Sequence, residues 1–187
     1  MNRLIKALTS ITDWLEKMGV PYMVFGGIAN SLYGNPRQTF DIDIKFSLKS
    51  SDKMKSFIEE LGKTAKILPE MPLEFVEETG VVPVEVDDVR VDLVVAQLPF
   101  EKEAIEQSRY VDFFGKNIKV CLPEDLIIQK AVSTREKDWM DIKQVIANQG
   151  HNMDWSYLLK HCKDLSDFLD DPGIYDRIKN WKDEREI

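Results

Sequence analysis

Two acids separated by one residue, Asp41 and Asp43, carry the strongest chemical signal in the chain. Residues 40–46 alternate between apolar and polar side chains, which predicts a β-strand with both carboxylates on one face. Two anions held so close repel each other. A divalent cation that bridges them to a phosphate is the simplest reason to keep this arrangement. The alternative is an exposed strand with a solvated acidic face, which Lys45 on the same face would suit.

A glycine pair, Gly26-Gly27, lies between an apolar segment at 22–25 and a helical segment at 28–33. Glycines at a strand-to-helix turn let backbone N–H groups approach a ligand, and the N-terminal end of the helix adds positive potential. Together these features suit a polyphosphate. By itself, however, such a pair is more typical of a tight turn that holds no ligand.

A third acid, Asp92, interrupts the apolar strand segment 89–94. A charged side chain in such a strand is seldom kept without a partner. Two interpretations are open. Asp92 either completes a metal site with Asp41 and Asp43, or pairs with a neighbouring arginine or lysine.

Hydrophobic periodicity predicts the elements that must position these residues. An amphipathic helix with apolar residues from Leu4 to Met18 comes first and ends at Gly19-Val20-Pro21. Strands are predicted at 22–25, 40–46, 73–77, 81–86 and 89–96, with a hairpin at 109–114 and 118–122. Helices are predicted at 28–33, 52–61, 99–107, 123–132, 136–148, 155–161 and 174–186.

The composition limits the class of protein. The 187 residues are 43% apolar, which suits one globular domain or a domain with a small appendage. A formal net charge of −8 gives the whole chain no attraction for nucleic acid. Its two cysteines and two histidines match no disulfide scaffold or common zinc motif, and no apolar run approaches the roughly 18 residues of a membrane span. We therefore expect a cytoplasmic protein.

Arg37 and Thr39 complete the pattern Arg-x-Thr-x-Asp-x-Asp that ends at Asp43. With the glycine pair before it and Asp92 after it, this pattern resembles the signature of the nucleotidyltransferase superfamily of DNA polymerase beta over the first half of the chain. One departure is Gly27, where many members carry a serine that helps to bind phosphate.

Two later segments, 122–130 and 135–142, resemble motifs of the AbiEii-type branch of that superfamily, whose members are toxin-like. The resemblance implies an α+β nucleotidyltransferase fold, with a short mixed sheet flanked by helices and a helical C-terminal tail. We expect residues 1–122 to form the core and 123–187 a helical region packed on it.

The resemblance also implies a chemistry: a nucleoside monophosphate passes from a nucleoside triphosphate to an acceptor hydroxyl, and pyrophosphate leaves. Mg²⁺ or Mn²⁺ is the implied cofactor. The implied catalytic and metal-binding residues are Asp41, Asp43 and Asp92. The implied nucleotide-binding residues are Gly26, Gly27, Arg37, Thr39, Lys130 and Asp138.

Several alternatives stay open at this point. Lys130 could lay its stem on the core instead of contacting the triphosphate, and Arg135, Asp138 and Asp141 are spaced for helical salt bridges. The acceptor could be a tRNA, a protein or a small molecule. The chain could also be a non-catalytic nucleotide-binding or partner-binding member of the fold, or one half of a toxin–antitoxin pair.

Overall fold

The computed structural model describes residues 3–36 and 38–185 of the chain. Its helices are α1 Arg3–Lys17, α2 Gly26–Tyr33, α3 Met54–Leu61, α4 Pro72–Thr79, α5 Pro99–Gln107, α6 Pro123–Ala131, α7 Glu136–Gln149, α8 Trp155–Leu169 and α9 Pro172–Arg185, with a 3₁₀ helix at Ser51–Lys53. Its strands are β1 Tyr22–Val24, β2 Asp41–Phe46, β3 Lys66–Ile67, β4 Val81–Val86, β5 Val89–Val95, β6 Arg109–Phe113 and β7 Lys116–Val120. Among these described helices, none is both long and apolar enough to span a bilayer.

All of these strands join one mixed sheet in the order β3-β4-β5-β2-β1-β7-β6. The β2–β5 and β1–β7 pairs are parallel, and the other pairs are antiparallel. β4 and β5 are joined by a two-residue turn at Asp87 and Asp88, which both have positive φ. Such a turn matches the right-handed twist of a hairpin, and Asp is one of the few residues that tolerate this backbone.

The apolar face of β2 forms the centre of the core. Ile42, Ile44 and Phe46 have no exposed surface, and the Phe46 ring stacks on Phe57 of α3 with the centroids 4.6 Å apart. α1 packs on the sheet through its buried apolar stripe. Because side chains alternate along a strand, burial of these three residues directs the intervening polar residues to the other face.

One predicted strand, at 73–77, is wrong, since these residues lie within helix α4. Pro72 opens the helix at a position where its missing N–H is not needed. Gly80 closes the helix with a φ of 72° and donates its N–H to the carbonyl of Val76. The single buried apolar side chain, Val76, explains why the short segment shows no clear helical period.

The chain divides into two compact units. The first comprises Met1–Ile28 and Gln38–Cys121 and contains the sheet with α1, α3, α4 and α5. The second comprises Ala29–Arg37 and Leu122–Ile187 and contains α6 to α9. In the second unit, Trp139 packs edge-on against Trp181 with the ring centroids 6.2 Å apart. This contact agrees with the general expectation that aromatic residues at helical spacing belong to a core.

Candidate active site

The register of β2 and β5 brings the three predicted catalytic acids together. Asp41 lies opposite Arg90 and Asp43 lies opposite Asp92 in this parallel pair. Residues in register on neighbouring strands direct their side chains to the same face of a sheet. Asp41, Asp43 and Asp92 therefore share one polar face, which we call the acidic face. It is the face opposite the buried apolar side chains of β2.

Arg90 lies within the acidic face. Its Nε is 3.0 and 3.2 Å from the two carboxylate oxygens of Asp92, and its Nη2 is 3.0 Å from Oδ1. The hydrogen bond and the charge of Asp92 raise the pKa of Arg90, and the charges of Asp41 and Asp43 add to this rise. The guanidinium contacts Asp92 and is attracted more weakly by the other two carboxylates. The ion pair that we considered as the alternative role of Asp92 is present.

Gly26 lets the backbone approach Asp43 more closely than another residue would allow. Its φ is +59°, and a Cβ built on it would lie 2.0 Å from Oδ2 of Asp43. The neighbouring Gly27 donates its N–H to the same Oδ2 over 3.3 Å. The glycine pair therefore holds the N-terminal end of α2 against Asp43, where the positive helix end favours the carboxylate.

Thr39 holds the other acid of β2. Its hydroxyl Oγ1 is 3.1 Å from the carbonyl oxygen of Asp41 and 3.4 Å from Oδ1 of the same residue. A Cβ at Gly27 would meet that hydroxyl at 2.6 Å. Thr39 is therefore packed between the glycine pair and Asp41. The remaining predicted residue of this motif, Arg37, lies outside the described residues.

The donor set of the acidic face suits a divalent cation in type, since carboxylate oxygens are the ligands that Mg²⁺ prefers. In the described part of the chain, however, no three Asp, Glu, His or Cys side chains are grouped so as to hold a metal ion. The acids of this face already have hydrogen-bond partners in the structure. Arg90 engages both oxygens of Asp92, and Gly27 engages Oδ2 of Asp43. A metal site formed by these three acids stays a prediction.

Further along β2, helix α5 covers the polar face. The Lys45 side chain is 7% exposed and forms an ion pair with Glu101 of α5, which is 12% exposed. The second oxygen of Glu101 accepts the N–H groups of Gln97 and Leu98 at 2.8 and 2.9 Å. The alternative of a solvated face does not hold at Lys45, because α5 covers this part of the strand. Burial by a later helix leaves no signal in residues 40–46.

Lys130 and Asp138 lie in the second unit, in a network of their own. Nζ of Lys130 is 2.7 Å from Oδ1 of Asp138 and 2.7 Å from Oδ2 of Asp141. Burial alone would raise the pKa of Asp138, but hydrogen bonds from Lys130, Ser133 and Arg135 outweigh it and lower the pKa to about 2. These contacts account for the charged residues as ion pairs. A role in nucleotide binding stays a prediction.

Arg90 is the site residue that sequence reasoning missed. The available signal was its position two residues before Asp92, which puts both side chains on one face of a strand. The position of Arg90 beside Asp41 could not be predicted in the same way. Register with Asp41 depends on the pairing of β2 with β5, and these strands are far apart in sequence.

Comparisons with known proteins agree with the fold. A family model described as "Uncharacterised nucleotidyltransferase" matches residues 2–166. An antigenic nucleotidyltransferase-like protein from Paracoccidioides brasiliensis superposes with a TM-score of 0.53 at 15% identity, over 95% of this chain and 92% of that one. The antibiotic-resistance factor ANT(2'')-Ia gives 0.52 at 17% identity, over 77% and 83%. No curated protein matched the sequence. The predicted α+β fold, a mixed sheet flanked by helices, is confirmed.

Proposed function

The chain belongs to this family of nucleotidyltransferases, and from that premise we propose a Mg²⁺-dependent transfer of a nucleoside monophosphate from a nucleoside triphosphate to an acceptor hydroxyl. The observation that carries the proposal is the β2–β5 register, which puts Asp43 beside Asp92 and Asp41 on the same face. Three carboxylates on one face of a sheet repel each other unless a cation neutralises them. Arg90 supplies one positive charge, and a metal-bound triphosphate would supply the rest.

Each residue of the acidic face has a proposed role. Asp41 and Asp43 would hold the divalent ion, which when bound neutralises charge on the attacking and leaving oxygens. Thr39 orients Asp41, and the N–H of Gly27 orients Asp43. Asp92 would complete the metal site and accept the proton of the acceptor hydroxyl. The acceptor oxygen then bonds to the α-phosphorus, the bond from that phosphorus to the bridging oxygen breaks, and pyrophosphate leaves.

The triphosphate would lie at the N-terminal end of α2, where Gly26 and Gly27 allow the backbone to come close. Arg37 and Thr39 are proposed as further contacts, because they directly precede β2 in sequence. The assignment of Lys130 and Asp138 to the nucleotide rests on the sequence resemblance alone.

The test is transfer of label from each α-labelled nucleoside triphosphate, with Mg²⁺ or Mn²⁺, into RNA, protein and small-molecule fractions of a lysate. Asp41→Asn should abolish the labelled product. Asp52→Asn, which removes one charge from the 3₁₀ helix of the same unit, is the matched control and should leave it unchanged. Labelling that survives Asp41→Asn or that proceeds fully in a metal chelator would disprove the metal-dependent reaction.

The acceptor and partners are proposed at the level of chemical class. The net charge of −8 disfavours a long RNA and suits a protein hydroxyl or a small cationic acceptor, although a tRNA belongs in the same screen. Membership of the AbiEii-type branch, a cytoplasmic location and a toxin or antitoxin partner are proposed with it. Co-purification of the tagged chain with a second small protein would support the last of these.

A non-catalytic nucleotide-binding or partner-binding role is the second candidate, and the Arg90–Asp92 pair favours it. If that pair were permanent, Asp92 would be neither a ligand nor a base. The two candidates differ in calorimetry. A catalytic protein binds nucleoside triphosphate far more tightly with Mg²⁺ than without it, whereas a protein with a permanent Arg90–Asp92 pair shows little dependence on metal.

A further inference from the structure

Arg90 is a cation on the acidic face, and it has an acidic cross-strand partner on each side of β5. On the opposite side of β5, the cross-strand partner of Arg90 is Glu85 of β4. Glu85 already has a cation of its own, since Lys66 lies 3.2 Å away. The guanidinium instead contacts Asp92, on its own strand, and is attracted by Asp41 and Asp43 on the other side.

Exposure shows how firmly Arg90 is held. Its side chain is 58% exposed and that of Asp92 is 22% exposed. An ion pair open to water at one end contributes little to stability, because water solvates the cation nearly as well when it leaves. Arginine also has a long flexible stem, so the guanidinium can move away while the backbone of β5 stays in the sheet.

We propose that Arg90 is a built-in counter-ion that occupies the acidic face in the metal-free protein and must release Asp92 before this carboxylate can bind a divalent cation. Arg90 is a positioning residue, and the inference rests on the proposed metal-dependent function. The guanidinium and the metal ion compete for the same oxygens. The Arg90–Asp92 pair thereby sets the concentration of metal, or of metal-bound nucleotide, at which the metal ion replaces the guanidinium on Asp92.

Competition predicts that removing Arg90 strengthens metal binding. Arg90→Gln eliminates the competing cation, so the Kd of the metal-free full chain for Mn²⁺, measured by calorimetry without nucleotide, should fall about fivefold, the upper end expected for loss of a solvent-exposed ion pair. Arg90→Lys keeps the charge but loses the forked contact, so its Kd for Mn²⁺ should lie between those of the wild type and Arg90→Gln.

Two further variants make the measurement specific. Lys63→Gln removes the same charge from an exposed ion pair with Glu60 in the same unit, and it should change the Kd for Mn²⁺ less than twofold. In an Asp92→Asn background, Arg90→Gln should have little effect, because the contested carboxylate is gone. This coupling between the two positions separates local competition from a general change in charge.

The outcomes distinguish the inference from the proposed function. If the wild-type chain and Arg90→Gln bind Mn²⁺ with equal affinity, or Arg90→Gln binds more weakly, the counter-ion role is wrong while the metal-dependent function stands. If neither binds Mn²⁺ even at millimolar concentration, with or without nucleoside triphosphate, both are wrong. A gain of about fivefold that vanishes in the Asp92→Asn background supports both.

Discussion

Arg90 and Lys130 are both cations paired with carboxylates, but Arg90 is far more exposed to water than Lys130. Arg90 contacts Asp92 on the acidic face of the sheet with 58% of its side chain exposed. Lys130 contacts Asp138 and Asp141 in the helical unit with 10% exposed. The contacts are of similar length, so the distances alone do not separate the two clusters.

Solvation gives the two clusters different energetics. A buried ammonium cannot leave its carboxylates without stranding their charges in a medium that solvates them poorly. An exposed guanidinium can leave, since water takes its place. The comparison indicates that the Lys130 cluster stabilises the helical unit and that the Arg90 cluster can be remodelled by a ligand.

The largest effect is expected at the acidic face itself. Asp43→Asn keeps the shape of the side chain and an oxygen for the N–H of Gly27, but it removes the charge that would hold the metal ion. We expect nucleotidyl transfer to fall about 1,000-fold, because a bound metal contributes several kcal/mol to the transition state. Melting temperature should stay the same or rise, since one of the repelling charges is gone. A clear fall in melting temperature with transfer unchanged would make Asp43 structural.

The next effect tests the buried cluster. Lys130→Met removes the ammonium from Asp138 and Asp141, and we expect the free energy of unfolding in urea to fall by about 4 kcal/mol. Lys179→Met is the matched control, because its pair with Asp183 is about half exposed, and it should cost less than about 0.5 kcal/mol. If Lys130→Met is as stable as the wild type but loses nucleotide affinity, Lys130 belongs with Arg90 as a functional cation.

A third experiment tests the contact that fixes Asp43. Gly26→Ala puts a Cβ 2.0 Å from Oδ2 of Asp43 and strains a φ of +59°, so we expect a loss of about 3 kcal/mol in urea unfolding. Gly19→Ala has a similar φ of +65° but nothing within 4 Å, so it isolates backbone strain at about 1 kcal/mol. Equal losses would show that the close approach to Asp43 is unimportant.

The smallest effect is the pH dependence of the buried cluster. The pKa of Asp138 is lowered to about 2 in the folded protein, so its contribution to stability is complete above pH 4 and is lost as pH falls toward 2. The difference in unfolding free energy between the wild type and Asp138→Asn should therefore shrink by about 2 kcal/mol over that range. The exposed Asp167→Asn is the control. A difference that does not change with pH would mean that Asp138 is not held as an anion.

Part of this arrangement could be predicted from the chain alone. Alternation in 40–46 put Asp41 and Asp43 on one face, and the apolar pattern predicted α5 at its observed bounds, Pro99–Gln107. Helix α4 was missed, because Val76 is its single buried apolar residue and a period needs several. A helix or strand can be predicted where buried apolar residues recur at the period of that element, and in α4 they do not recur.

The polar and apolar faces of each strand and the type of each long element were determined by the sequence, since side-chain alternation and helical periodicity are local properties of a chain. Which strands pair, and in which register, was decided only by the tertiary structure. Arg90 and Asp92 could share a face by spacing alone, but their position beside Asp41 and Asp43 comes from β5 pairing with β2. The burial of Lys45 under α5 was decided in the same way. Exposure to water and the charges of residues distant in sequence depend on tertiary packing. They distinguish Arg90, which can leave its carboxylate, from Lys130, which cannot.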